Sequence, residues 1–122
     1  PTQLGGDTYT FTRSRRAGYR IGYEPAALNW HRHRREWPEL RRALYGYGVG
    51  VYAYITRQIL NGEWRAPLLA VGWLRAQLPA LAGSLLGRPG RMPSDLAMAE
   101  LRGCAAGPFA YLRSRRRIQG RR

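Results

Sequence analysis

One stretch of this chain has both its start and its stop written into it. Pro38 suits a first helical position, where its missing N–H costs nothing, and Glu39 behind it favours the positive end of a helix. Asn61-Gly62 is a stop signal. Between them Leu40, Leu44, Tyr47, Val51, Tyr54 or Ile55, and Ile59 recur at three- and four-residue spacing, which predicts a helix to about Leu60. Gly46, Gly48 and Gly50 are costly there, at roughly 1 kcal/mol each relative to Ala. Gly46 and Gly50 share a face, so the helix is expected to pack closely against another element. Tyr45, Tyr47, Tyr52 and Tyr54 give it an amphipathic aromatic surface.

The rest of the chain breaks into shorter pieces. Residues 8–17 predict a short helix, with Asp7 standing as N-cap and Gly18 as the C′ residue. Tyr19, Ile21 and Tyr23 alternate with Arg20 and Gly22, the period of a half-buried strand. Glu24-Pro25 then separates it from a second extended run, Ala26–His31. Pro67–Leu86 is the most apolar stretch. Arg75, Gln77 and Pro79 leave it short of the ~20 apolar residues of a spanning segment, so it reads as a broken, partly buried or membrane-surface helix. After a loop over 87–91, Ser94 or Asp95 caps a last helix from Leu96 to about Tyr111, interrupted near Gly107-Pro108. The Arg-rich tail from Arg113 is expected to fray. The fold class predicted is an α+β fragment: a short helix, a two-stranded β element, then two to three helices.

Charge narrows the partners. All 21 basic residues are Arg, set against 7 acidic ones, for a formal +14. That balance calls for an anionic partner: nucleic acid, a phosphate-bearing donor or an anionic membrane surface. All-Arg usage beside abundant Ala and Gly also fits a GC-rich genome. Cys104 is single, which excludes an intrachain disulfide and a thiolate metal cluster and marks it as a packing residue. The chain opens on Pro1 with no initiator Met or signal-peptide pattern, and so reads as a segment of a longer protein.

Two segments in the first 35 residues carry a more specific pattern. Gly5-Gly6-Asp7-Thr8-Tyr9-Thr10-Phe11 leads to Arg16-Ala17-Gly18, then Tyr23-Glu24-Pro25 to Trp30-His31-Arg32-His33-Arg34-Arg35. In order and spacing they resemble the acceptor-side end of the catalytic domain in family 2 glycosyltransferases, inverting enzymes of the GT-A type. There a G-E-D-x-[ED]-hydrophobic-F motif opens a helix, R-A-G-Y-x-I-x-Y-x-P follows, and a strand ends in W-H-x-H-R. The Tyr- and Gly-rich helix after it looks like that family's too. The resemblance is strong over residues 5–60. It implies the C-terminal end of an α/β GT-A domain over 1–36, a helical extension over 37–117 with membrane-surface character, and a basic tail over 118–122.

The resemblance assigns roles that the chemistry explains. Inverting transfer needs a carboxylate to take the proton from the acceptor hydroxyl, and Asp7 matches that base. Local sequence alone favours a plain N-cap, and the resemblance reverses that order. His31, with His33 as the other candidate two residues on, matches a position near a divalent ion, Mg2+ or Mn2+, that neutralises the leaving diphosphate. Arg34 and Arg35 are candidates for clamping that diphosphate, or plain surface charge. Two departures stand out: the family's Glu is Gly6 here, and its following acidic residue is Tyr9. The D-x-D metal motif is absent from the chain, so the expectation is no activity in isolation. Partners implied are a nucleotide-sugar donor and a glycan or lipid-linked acceptor, in the cytoplasm or on the inner face of the plasma membrane. A small Arg-rich nucleic-acid-binding protein and a basic membrane-surface module are the competing readings, with nucleic acid otherwise held only non-specifically.

Overall fold

A computed structural model describes residues 6–30, 35–87 and 92–120. Four helices follow in order: α1 (Gly6–Arg16), α2 (Trp37–Leu60), α3 (Ala66–Leu85) and α4 (Ser94–Gln119).

Local chemistry sets most helix ends. At the end of α1 the Gly18 amide donates to the Arg15 carbonyl and the Tyr19 amide to the Ser14 carbonyl, at 3.1 and 3.0 Å. That pair of bonds is a Schellman closure, and Gly18 takes the positive φ of 86° that it requires. Gly62, at φ 80°, closes α2 in the same way through Ile59 and Gln58. Pro38 lies in the first turn of α2 and Pro67 in that of α3, where neither removes a helical bond.

The centre of the molecule is a parallel pair, α2 with α4. Trp37 Nε1 donates to Asp95 Oδ2 at 2.8 Å where both helices begin. Further along, Gly48 meets Glu100 and Cys104, and Gly107 meets Val49 and Ala53. The pairing rises in step on both helices. α3 is the return stroke: Tyr52 donates to the Ala70 carbonyl at 3.5 Å and sets its ring edge-on to Trp73, with centroids 5.6 Å apart. Later in α3, Leu81 shares a crevice with Met92 and Ala97.

Small residues make this core. A Cβ placed on Gly107 would stand 2.8 Å from the Val49 carbonyl oxygen and 2.9 Å from the Ala53 nitrogen. On Gly103 it would press into the Tyr45 carbonyl, and on Gly48 into that of Glu100. Ala99, Gly103 and Gly107 recur every four residues, the small-xxx-small pattern that lets two helix backbones touch. The buried apolar set is correspondingly slight: Ala43, Ala53, Ile55, Ala66, Leu96, Ala97, Ala99 and Cys104. Among the described residues no large side chain is fully buried. The accessible surface is 10059 Å², against roughly 6,700 Å² for a compact monomer of this mass.

The expected α+β class is overturned, because the described residues are helical with no strand. The turn between the two expected strands does form: the Ala27 amide donates to the Glu24 carbonyl and the Ala26 amide to Glu24 Oε1. Its arms do not pair. A lone two-stranded ribbon needs an apolar surface to lie on, and here Tyr23 is 90% exposed and Trp30 96%. α4 is also longer than expected, continuing unbroken through Gly107-Pro108 to Gln119. Pro108 forfeits the bond to the Cys104 carbonyl, but Gly107 is clamped against α2 and holds the chain in register. α3 likewise carries Pro79 without breaking.

Candidate functional site

Asp7 is the second residue of α1, inside the helix and not at the N-cap position expected for it, and its side chain is exposed. The positive end of the helix dipole favours a carboxylate there, while Arg13, Arg15 and Arg16 suit the opposite end. Thr10 turns its hydroxyl back to the Gly6 carbonyl at 2.9 Å, tightening the turn that carries Asp7.

Side-chain tips alone hold α1 on the second half of α2. Thr12 Oγ1 and Tyr54 Oη are hydrogen-bonded at 3.0 Å, and Gln58 Nε2 donates to the same Tyr54 oxygen at 3.2 Å. Gln58 is buried, which makes this small network the polar floor of the contact. Arg16 pairs with Glu63. The Arg57 guanidinium lies over the Tyr9 ring, 4.1 Å from its centroid, with Arg13 at 5.7 Å from the same ring.

These residues enclose a cleft of about 360 Å³ lined by Tyr9, Thr12, Arg13, Arg16, Arg57, Gln58 and Asn61. Glu63 offsets one of three guanidinium groups, leaving a cationic cleft rich in donors that is chemically suited to an anion such as phosphate. A second, shallower depression of about 710 Å³ lies between the first halves of α2 and α4, lined by Trp37, Arg41, Arg42, Tyr45 and Arg102 among others. It too combines aromatic faces with arginines.

Of the expected site residues, His31, His33 and Arg34 lie outside the described residues. Arg35 is exposed, just ahead of α2, and neither it nor Asp7 lines either hollow. Among the described residues no three His, Cys, Asp or Glu side chains gather into a metal-ligand set. The Tyr9, Arg13 and Arg57 constellation was not foreseen. Its trace in the sequence is Tyr9 and Arg13, four residues apart on one helix face, since nothing local joins α1 to Arg57 more than forty residues later.

Cys104 is a packing residue in the structure as expected. Burial pushes its thiol up to about 11, with the nearby Glu100 carboxylate adding to the effect, so at neutral pH it stays a protonated, poor nucleophile. Glu100 sits in the crevice with Trp73, Gln77, Leu81 and Met92, and burial raises its carboxyl above the ordinary value. Tyr52 is raised as well, by burial first and then by Cys104.

Among the described residues no helix is long and apolar enough to cross a membrane. In comparisons with known proteins the chain matches no family model, no curated protein and no solved structure.

Proposed function

We propose that this chain is the C-terminal part of an inverting glycosyltransferase that moves a sugar from a nucleotide-sugar donor to a hydroxyl acceptor, and that Asp7 is its base. The observation that supports the reading best is the first helix. The Gly6-Asp7-Thr8-Tyr9-Thr10-Phe11 run opens a helix, sets Asp7 in its exposed first turn, and closes that helix on the Gly18 of Arg16-Ala17-Gly18. These are the positions at which the family pattern needs a carboxylate and a turn.

In this reading Asp7 accepts the acceptor's proton as the hydroxyl attacks the anomeric carbon. Arginines near the end of the 19–30 segment, Arg35 among them, balance charge on the departing diphosphate. The divalent ion would fall to His31 and His33.

Asp7→Asn in the intact transferase is the direct test. At this exposed first-turn position the change gives up only the dipole's attraction for a carboxylate, about 0.3–1 kcal/mol, so Tm should fall only slightly, while turnover should drop by roughly 10²–10⁴. Donor binding should persist. Unchanged turnover would remove Asp7 from the chemistry. The 122-residue chain alone should turn over no nucleotide sugar, having no nucleotide-binding half to supply remote binding energy.

One observation favours a second reading. Tyr19, Tyr23 and Trp30 are exposed along the irregular 19–30 segment, which also carries Arg20, an arrangement able to stack single-stranded bases. Binding to oligonucleotides that survives about 0.5 M salt would favour it; binding lost with rising salt reflects the net charge alone.

A further inference from the structure

The outer face of α3 is the feature least like an ordinary protein surface. Its inner face packs through Ala70, Trp73, Gln77 and Leu81. The other side should be polar by the usual logic of a surface helix. Instead Leu68, Val71 and Leu78, spaced three and seven residues apart, are each more than half exposed, with Leu74 beside them at 41%. Isolated exposed leucines need no explanation, but a continuous stripe does.

The sequence around the stripe says what covers it. From Trp64 to Ser94 there is no Asp or Glu, while Arg65, Arg75, Arg88 and Arg91 all fall there. Arg75 is the only charged residue of α3, and it lies within the exposed stripe. Trp64, 70% exposed, stands ahead of the helix with the Arg65 guanidinium 4.9 Å from its ring centroid. A tryptophan-arginine pair at one end, an apolar stripe and no carboxylates together match a helix lying in the plane of a membrane interface. Leu86, 69% exposed, extends the apolar side at the other end. The helix is not apolar enough to cross.

We infer that α3 docks flat on an anionic phospholipid surface: the Leu68–Val71–Leu78 stripe enters the headgroup–acyl boundary, Trp64 sits at its edge, and Arg65 and Arg75 reach phosphates. A second copy of the chain fits less well. Two molecules each carrying +14 repel, and a face-to-face contact would bring the two Arg75 side chains into one apolar seam. An anionic surface turns the same charge into attraction.

The inference does not rest on the transferase reading and is tested on the 122-residue chain with phosphatidylcholine vesicles, with and without phosphatidylglycerol. Co-sedimentation is expected with the anionic vesicles and little with the neutral ones. Val71→Glu with Leu78→Glu should cut the anionic binding roughly tenfold or more while helix content by circular dichroism is unchanged. Equal binding by that variant would mean that arginines act without α3, and would overturn the proposal. So would concentration-dependent self-association of the parent chain that the variant abolishes. Should the double variant misfold, phospholipids brominated in their acyl chains decide the matter. They should quench tryptophan emission of the parent chain, and much less of Trp64→Phe; equal quenching in both would overturn the docking geometry.

Discussion

α2 and α4 meet backbone to backbone, whereas α1 meets α2 through the tips of a few polar side chains. The first contact is made by residues with almost nothing to bury: glycines at 48, 103 and 107, with Ala53 and Ala99 beside them. Its stability comes from close approach, in which many backbone atoms share dispersion contacts that larger side chains would prevent. The second contact is one hydrogen-bonded trio, one ion pair and one ring under two guanidinium groups. Open space flanks it, about 410 Å³ on the side of α4 and about 360 Å³ on the other. The glycine-lined pair is a scaffold complete in itself. α1, the candidate base it carries and the exposed 19–30 segment behind it are the part of the molecule left free to answer a ligand or partner.

The comparison is easiest to break at Gly103. Gly103→Ala drives a methyl group into the Tyr45 carbonyl, with the carbonyl carbon at 2.9 Å and the Val49 nitrogen at 3.1 Å. Both neighbours are helix backbone and cannot step aside. The expected loss is about 3 kcal/mol, or a fall in Tm of about 10 °C or more. The same substitution on α3 should have the opposite sign. Gly72 has nothing within 4 Å of the would-be methyl, so Gly72→Ala should gain about 0.5–1 kcal/mol by restricting the unfolded chain. If both substitutions proved neutral in thermal melts, close backbone contact would not be what holds α2 to α4.

Next in size is the difference in local stability. Amide hydrogen exchange should be slow over α2 and the facing part of α4, and faster by orders of magnitude over α1, which opens without disturbing the scaffold. Tyr54→Phe removes the shared oxygen of the Thr12–Tyr54–Gln58 network and leaves the buried Gln58 amide short of an acceptor. It should cost about 1 kcal/mol and speed exchange in α1 further. Equal protection of α1 and α2 would erase the contrast.

The two regions also differ in how far the sequence reveals them. Helix boundaries closed by Gly18 and Gly62 are legible because a Schellman closure is a local event, decided within six residues. The glycines of α2 make a demand for a close neighbour legible but not its face: Gly46 and Gly50 share a side, whereas the close approach to α4 is made at Gly48. The partner is not legible either, because Gly103 and Gly107 read locally as an interruption and only contact with α2 turns them into a helix interior. The expected β element failed for a related reason. Alternation of Tyr19, Ile21 and Tyr23 says which side chains share a face, but gives no surface for that face to lie on. In the candidate site, Asp7 at a helix start is visible in the motif, whereas the cleft around Tyr9 and Arg57 exists only once α1 rests on α2.

The smallest effect expected lies on the scaffold side, at Glu100. Its carboxyl is raised above the ordinary 4.5 by burial between α3 and α4. An acid raised in the folded state binds its proton more tightly there than in the unfolded chain. Stability from this group is therefore greatest below about pH 4.5, where both states are protonated, and declines as pH rises through the folded value. Above that value the fold carries a partly buried carboxylate. Glu100→Gln, nearly equal in shape and always neutral, should raise Tm slightly at pH 7, and the gain should vanish in acid. The substitution also removes the charge that helps to hold the Cys104 thiol up, so that thiol should titrate somewhat lower and react faster with a thiol reagent at pH 8.5 to 9. Paired melts of parent and variant across pH 4 to 8 read the first effect, and alkylation rates the second. A Tm difference independent of pH would place the Glu100 side chain in solvent. It would also imply that α3 rests on the α2–α4 pair as loosely as α1 does.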